Sequence, residues 1–250
     1  MGTSLREIKT FLDVNRYIDL CPKRRGAAEG MYPFVTISRE FGAGAHKLAH
    51  VMLAEMERHP HPIFHGWQIF DRQLCEQLVR DRSLREAIEA VFSEECHSEV
   101  EALLRNLLGI PSAHPAAVSE LFRIIRLVAT RGKVIIVGRA ASCVTASLPL
   151  GVHLRLVAPV EYRLRQLGWE GRGKAALKEL EQQDRDRARL VATYFRRDIA
   201  DPTLYDAVWN TSRVPFPSIA RATIQLIEDR AAAHGLLRGS VFAAEPASQH

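Results

Sequence analysis

The chain has 250 residues, a mass of 28.1 kDa and a formal charge of +5. This length suits one α/β domain or two small ones, and it buries a core without disulfide or metal staples. The charge is compatible with an anionic ligand but does not choose between nucleotide and nucleic acid. No apolar run approaches the ~20 residues of a membrane-spanning helix, and the N-terminus lacks an apolar signal core. The four cysteines form no Cys-x-x-Cys pair, so we expect free thiols, no membrane and a cytoplasmic protein.

The predicted elements alternate between strands and helices. In chain order they are an extension at 1–31, a strand at 34–37, a helix at 44–57, an apolar run at 63–70, a largely helical section at 83–108, a helix at 115–130, strands at 134–137 and 152–157, a helix at 160–167, a long charged helix at 174–197, a strand at 207–209, a helix at 217–233 and a disordered tail at 235–250. This alternation predicts a parallel sheet with helices on both faces and a ligand at the carboxyl ends of the strands.

The stretch SREFGAGAHKLA, residues 38 to 49, joins the first strand to the first helix. Its small residues allow a phosphate to approach the amides at a helix N-terminus, although a tight left-handed turn explains two glycines equally well. Against the pattern Gly-x-x-x-x-Gly-Lys-[Ser/Thr], Arg39 stands at the first glycine, Ala45 at the lysine and His46 at the hydroxyl. Lys47 would point away from the phosphates. Arg39 is therefore the predicted source of positive charge, with Ser38 and His46 as polar contacts.

Five short motifs then occur in the order typical of one family. They are SREFGAG at 38–44, FDRQL at 70–74, VGRAA at 137–141, DRDRAR at 184–189, and a segment at 205–212 that begins with Tyr-Asp and ends with Asn-Thr-Ser. Over residues 34 to 230 the chain resembles the cytidylate-kinase-like family, a branch of the P-loop nucleoside monophosphate kinases.

The resemblance implies transfer of the ATP γ-phosphoryl group to a pyrimidine nucleoside monophosphate, CMP or dCMP, with Mg²⁺. It implies a P-loop NTPase fold, which is α/β with three α/β/α layers and a parallel sheet, in a domain at 32–234. Within that domain it implies a helical monophosphate-binding section at about 60–131 and a lid at about 168–189. The chemistry is consistent with such parts, because phosphoryl transfer depends on positioning and on stabilising charge. The oligomeric state is left open.

The motifs and the residue chemistry together assign candidate roles. The predicted catalytic residues are Arg39, Arg163, Arg185 and Arg187. The predicted cofactor-binding residues are Ser38, Phe41, Gly42, Ala43, Gly44, Ala45, His46, Asn210, Thr211 and Ser212. The predicted substrate-binding residues are Asp71, Arg72, Gly138 and Arg139. The metal ligands are left open, although Asp184 is expected either to orient a lid arginine or to lie near magnesium.

Ordinary structural roles remain open for these residues. The arginines suit an exposed helix with Glu–Arg pairs, Asn210–Ser212 suits a polar turn, and Asp71 suits a helix cap. Ala140 stands where typical cytidylate kinases carry an aspartate that helps read cytosine, which leaves the base open. Two further classes of function compete with a kinase. One is a nucleotide-binding regulatory protein with little turnover, and the other is a nucleic-acid-binding protein, for which no basic motif is present.

Overall fold

The computed structural model describes residues 32–71 and 115–237, and of residues 115–120 it describes the backbone alone. The predicted extension, residues 72–114 of the predicted acceptor section, most of the predicted tail, Arg72 and three of the four cysteines lie outside the described residues. Within them Cys143 is a free, half-buried thiol, and burial raises its pKa.

Five parallel strands form one sheet in the order β2-β3-β1-β4-β5. The strands are β1 Phe34–Arg39, β2 Gln68–Phe70, β3 Val134–Val137, β4 Gly151–Val157 and β5 Ala207–Asn210. The central strand β1 aligns Ile37 with Val137 of β3 and Ser38 with Arg155 of β4. The carboxyl ends of three strands therefore meet at one edge of the sheet, where parallel α/β proteins bind ligands.

Six helices of the described ranges surround the sheet. They are α1 Ala45–Glu57, α2 Pro115–Arg131, α3 Ala141–Val144, α4 Val160–Leu167, α5 Gly173–Phe195 and α6 Phe216–Ala233, with short 3-10 turns at Pro62–Phe64 and Pro202–Leu204. One buried cluster joins α1 and α6 to Val35 and Ile37, and a second joins α2 to Phe34 and Ile136. This two-sided burial confirms the predicted α/β class with helices on both faces.

Most of the predicted elements are confirmed within two residues. The strand at 134–137 and the helix at 160–167 begin and end at the predicted residues. The first strand runs two residues further than predicted and ends at Arg39, so Ser38 and Arg39 belong to the sheet rather than to the loop. The long helix ends at Phe195 instead of residue 197, because Arg196 takes the left-handed conformation. Within the described ranges no helix combines the length and the apolar character that crossing a bilayer requires.

His153 on β4 makes the stability of this sheet sensitive to acid. Its Nδ1 shares a hydrogen bond of 2.8 Å with the Thr36 hydroxyl, and burial lowers the pKa of the ring to about 4, against the opposing charge of Asp206. In the unfolded chain the ring takes up a proton near its ordinary pKa of 6.5, whereas the folded ring stays neutral down to about pH 4. Lowering the pH through this window therefore favours the unfolded chain.

We expect His153 to remove about 2 kcal/mol of unfolding free energy between pH 6.5 and pH 4. Urea denaturation at several pH values in wild type and His153→Gln measures this contribution, since other titrating groups are common to both proteins. The variant should lose less stability across the window. Parallel pH profiles for the two proteins would refute the assignment.

Candidate functional site

The loop between β1 and α1 leads directly to an uncapped helix N-terminus. Gly44 is the N-cap residue with φ 89°, and no side chain within the described part of the chain caps α1. The first-turn amides have no intrahelical acceptor, and the helix dipole adds partial positive charge there. A helix of this length with a bare first turn can bind an anion such as a phosphate.

Glycine is required at both loop positions, because neighbouring residues leave no space for a side chain and because the backbone conformation disfavours one. A Cβ on Gly42 would lie 2.9 Å from the carbonyl oxygen of Arg163, and a Cβ on Gly44 would fall on the ring of Phe216. Both residues have a positive φ, which side chains disfavour. Close packing of α4 and α6 thus accounts for the glycines, so their presence alone is no evidence for a phosphate.

Arg39 connects this loop with the end of β3. A Cβ on Gly138 would overlap the Arg39 guanidinium, which shows that the arginine lies across the Gly138 backbone. Partial burial lowers the pKa of His46, and the nearby charge of Arg39 lowers it further, whereas the buried Asp71 carboxylate opposes both. The structure therefore brings Arg39, His46, Asp71 and Gly138 together between the start of α1 and β3.

The turn after β3 contains three successive residues in the left-handed conformation. Gly138, Arg139 and Ala140 have φ of 83°, 58° and 53°. A non-glycine residue in this region costs about 1 kcal/mol, and such strain concentrates at functional sites. Because the Gly138 amide donates to the Ile37 carbonyl at 3.0 Å, the turn is held against β1. The backbone of Arg139 is thereby held next to the end of β1.

A small cavity of about 30 Å³ lies at this edge, on the α5 side of the sheet. It has room for about one water molecule. The described residues that line it contain three arginines and no carboxylate, and they include Ser38, Arg39, Arg139, Ser142, Arg187 and Ile199. The cavity is thus suited to an anion, and at this volume it is too small for a whole nucleotide.

Helix α5 is joined to the loop through Asp184. Its carboxylate accepts a hydrogen bond of 2.7 Å from the Phe41 amide and pairs with Arg163 at 2.5 Å. The Arg163 side chain is 8% exposed and also lies 3.7 Å from Glu40. Of the two predicted roles for Asp184, the structure shows the first, in which it orients an arginine. Arg163 on α4 thus contacts both α5 and the loop residues Glu40 and Phe41.

The two predicted catalytic arginines of α5 lie on different sides of the helix. Arg187 packs over the Phe41 ring, with its Cζ 5.2 Å from the ring centroid, and lines the cavity. Arg185 is exposed and pairs with Glu181 at 3.4 Å. Residues two apart on a helix differ by about 200° in direction, so one face cannot present both. The structure brings Arg187 to the loop and leaves Arg185 on the outer surface.

The Ser38 hydroxyl faces the α5 side of the sheet, away from the α1 amides. It accepts a hydrogen bond of 3.1 Å from Arg155 and lies 3.2 Å from the Tyr205 hydroxyl. The predicted contact between Ser38 and cofactor phosphates would need the hydroxyl on the other face of the sheet, next to α1. Arg155 and Tyr205 were not among the predicted site residues.

The segment after β5 forms a compact polar turn. The Asn210 Oδ1 accepts hydrogen bonds from the Ser212 amide at 3.1 Å and from its hydroxyl at 2.7 Å. Within the described part of the chain the buried Thr211 hydroxyl has no hydrogen-bond partner, and the Thr211 amide donates to the Val157 carbonyl at 3.0 Å. Asn210 and Ser212 therefore form the ordinary polar turn that was the predicted alternative. This turn does not account for the buried hydroxyl of Thr211.

The parallel sheet with helices on both faces places the chain among the α/β proteins that bind ligands at the carboxyl ends of their strands. A family model described as "Cytidylate kinase-like family" matches residues 34–213, and the chain belongs to this family. None of the curated proteins matches the chain significantly in sequence.

Two solved structures resemble the chain. An uncharacterized protein from Eubacterium ventriosum is 18% identical with a TM-score of 0.57, over 79% of this chain and 98% of its own, and it shares the fold. A shikimate kinase from Acinetobacter baumannii, solved with shikimate, is 15% identical with a TM-score of 0.42, over 80% of this chain and 95% of its own.

Proposed function

We propose that the protein transfers the γ-phosphoryl group of ATP to a pyrimidine nucleoside monophosphate, CMP or dCMP. The observation that supports this most strongly is the position of Arg39. Its guanidinium crosses Gly138, between the uncapped start of α1 and the cavity that Arg139 and Arg187 line. A donor phosphate on α1 and an acceptor phosphate in the cavity would meet at this arginine.

The start of α1 suits the phosphates of a nucleotide donor. The first-turn amides of Ala45, His46 and Lys47 follow the left-handed Gly44, and no side chain of the described residues caps them. Mg²⁺, when bound with ATP, neutralises phosphate charge. The described residues contain no group of three His, Cys, Asp or Glu side chains that could hold a metal ion, so we assign no protein ligand to magnesium.

The remaining site residues act by orienting groups and supplying charge. Arg139 lies in the strained turn after β3 and would bind the acceptor phosphate together with Asp71, and Arg72 remains a predicted contact of the acceptor. Arg187 would meet the transferring group from α5, because it lies on the helix face that packs on Phe41. Arg163 and Asp184 hold α5 against the loop, so they would govern how readily the cavity opens.

A nucleotide-binding regulatory protein with little turnover is the second candidate. Ala45 and His46 stand where the common loop pattern has lysine and a hydroxyl residue. The nearest lysine, Lys47, donates a hydrogen bond of 2.7 Å to Gln166 on α4 instead of facing the start of α1. The loop therefore offers amides and Arg39, without an ammonium group, to a triphosphate.

A panel of nucleoside monophosphates with ATP and Mg²⁺ separates these two functions. We expect ADP formation with CMP or dCMP that exceeds the rate with AMP, GMP and UMP. Product analysis by chromatography at high enzyme concentration detects even slow turnover. Binding of an ATP analogue without diphosphate product from any monophosphate would favour the regulatory protein, and absence of nucleotide binding would contradict both.

A further inference from the structure

Arg155 is a buried arginine inside the sheet. It lies on β4 directly opposite Ser38 of β1, and 7% of its surface is exposed. Its guanidinium donates one hydrogen bond, to the Ser38 hydroxyl at 3.1 Å, and its Cζ lies 5.8 Å from the centre of the Tyr205 ring. Among the residues that the structure describes, no carboxylate pairs with it.

A buried guanidinium in this setting is costly for the folded protein. Moving a charge out of water carries a large penalty unless a counter-charge and further hydrogen bonds compensate for it. One bond to a neutral hydroxyl and a distant aromatic ring return only part of that penalty. The arrangement is therefore incomplete as it stands, and an anion would complete it.

The surroundings of Arg155 connect it to the arginine-lined cavity. Ser38, which accepts its hydrogen bond, lines that cavity together with Ile199. The Tyr205 hydroxyl, next to Ser38, donates to the Ile199 carbonyl at 2.9 Å. No guanidinium nitrogen of Arg155 is both fully enclosed and without a partner. The nitrogens that Ser38 does not engage therefore reach accessible space.

We infer that Arg155 is a further anion-binding residue, which contacts the phosphate of the acceptor together with Arg139. This inference rests on the proposed function for the identity of the ligand, a phosphomonoester dianion. Arg155 approaches the ligand from β4, on the opposite side of β1 from Arg139. Two guanidinium groups, one on each side of the central strand, can bind different oxygens of one phosphate. A singly charged acceptor would bind less tightly to this pair of cations.

The test compares Arg155→Met, which keeps the apolar stem, with Arg155→Lys and with Arg58→Met, a change at the exposed arginine that follows α1. Calorimetry measures binding of CMP and of cytidine, which lacks the phosphate. We expect Arg155→Met to weaken CMP binding by about tenfold or more and to leave cytidine binding unchanged. Arg155→Lys should be intermediate, because it keeps the charge but loses the fork.

Thermal melting without ligand provides a second measurement. Because no carboxylate is left unpaired, Arg155→Met should melt at the same temperature as wild type or higher. A lower melting temperature with parallel losses for CMP and cytidine would show that Arg155 is structural and would overturn the inference. Undiminished CMP binding would overturn it as well.

Inorganic phosphate separates this inference from the proposed function. If wild type binds none of the monophosphates, the proposed function fails, yet phosphate should still raise its melting temperature and raise that of Arg155→Met much less. The anion site itself would be contradicted if phosphate stabilised both proteins equally. It would also be contradicted if neither phosphate nor CMP stabilised the wild-type protein.

Discussion

Replacing Arg39 by methionine is expected to lower kcat/KM for the proposed phosphoryl transfer from ATP to CMP by about a thousandfold. The Arg39 guanidinium lies across Gly138 and lines the cavity, and the loop has no lysine in the usual position to replace it. Charge that develops on the transferring group would lose its main stabilising partner. Steady-state kinetics with ATP, Mg²⁺ and CMP measure the loss, and circular dichroism checks the fold.

Two glycine variants provide a matched control for Arg39. An alanine at Gly138 would place its Cβ on the Arg39 guanidinium, whereas an alanine at Gly171 meets nothing within 4 Å. Both glycines have nearly the same φ, 83° and 82°, so the backbone strain is alike. Gly138→Ala should therefore lose far more activity than Gly171→Ala. If Arg39→Met retains kcat/KM within about fivefold of wild type, Arg39 is not the catalytic arginine.

Replacing Asp184 by alanine is expected to lower the unfolding free energy by about 2 to 3 kcal/mol. The change removes the acceptor for the Phe41 amide and the close partner of Arg163, which stays buried with Glu40 3.7 Å away. Urea denaturation measures the effect. Trp169, whose ring lies 5.5 Å from Phe41, should also change its fluorescence as α5 separates from the loop.

Asp186 on the same helix is the control for Asp184. Its carboxylate is exposed and accepts a hydrogen bond of 2.8 Å from Gln182. Asp186→Ala should change stability by no more than about 0.5 kcal/mol. Adding Arg163→Met to Asp184→Ala should restore part of the loss, because it removes the unpaired charge. Equal stabilities for Asp184→Ala and Asp186→Ala would contradict the role of Asp184 as a link between α5 and the loop.

The elements of the sheet could be predicted because their patterns are local. The β-branched run Val134–Val137 and the helix that starts after Pro159 are marked by neighbouring residues, and both were located correctly. The face of the sheet on which the Ser38 side chain lies could also have been predicted. Once the strand extends to Arg39, strict alternation sends Ser38 and Arg39 to opposite faces of the sheet.

The lid arginines show where local patterns were insufficient. Helix α5 carries charge around most of its circumference, so its inner face is marked only by Ala176, Leu180 and Val191. Arg187 follows Leu180 by seven residues and lies on that stripe, whereas Arg185 does not. The stripe could have selected Arg187. The pairing of Arg163 with Asp184 depends on how two helices meet, which no spacing within either helix determines.

Arg155 was missed although the sequence marks it. A charged residue in the apolar strand Gly151–Val157 is unusual, because charged side chains are rarely buried without a partner. Its neighbours Ser38 and Tyr205 come from distant parts of the chain, so only the register of β1 with β4 shows that the three meet.

A crystal structure with an ATP analogue, Mg²⁺ and CMP tests the central claim most directly. The account predicts donor phosphates on the amides that follow Gly44, the CMP phosphate beside Arg139, and the Arg39 guanidinium within hydrogen-bond distance of both. Donor phosphates bound away from the start of α1, or an Arg39 that contacts neither ligand, would contradict it.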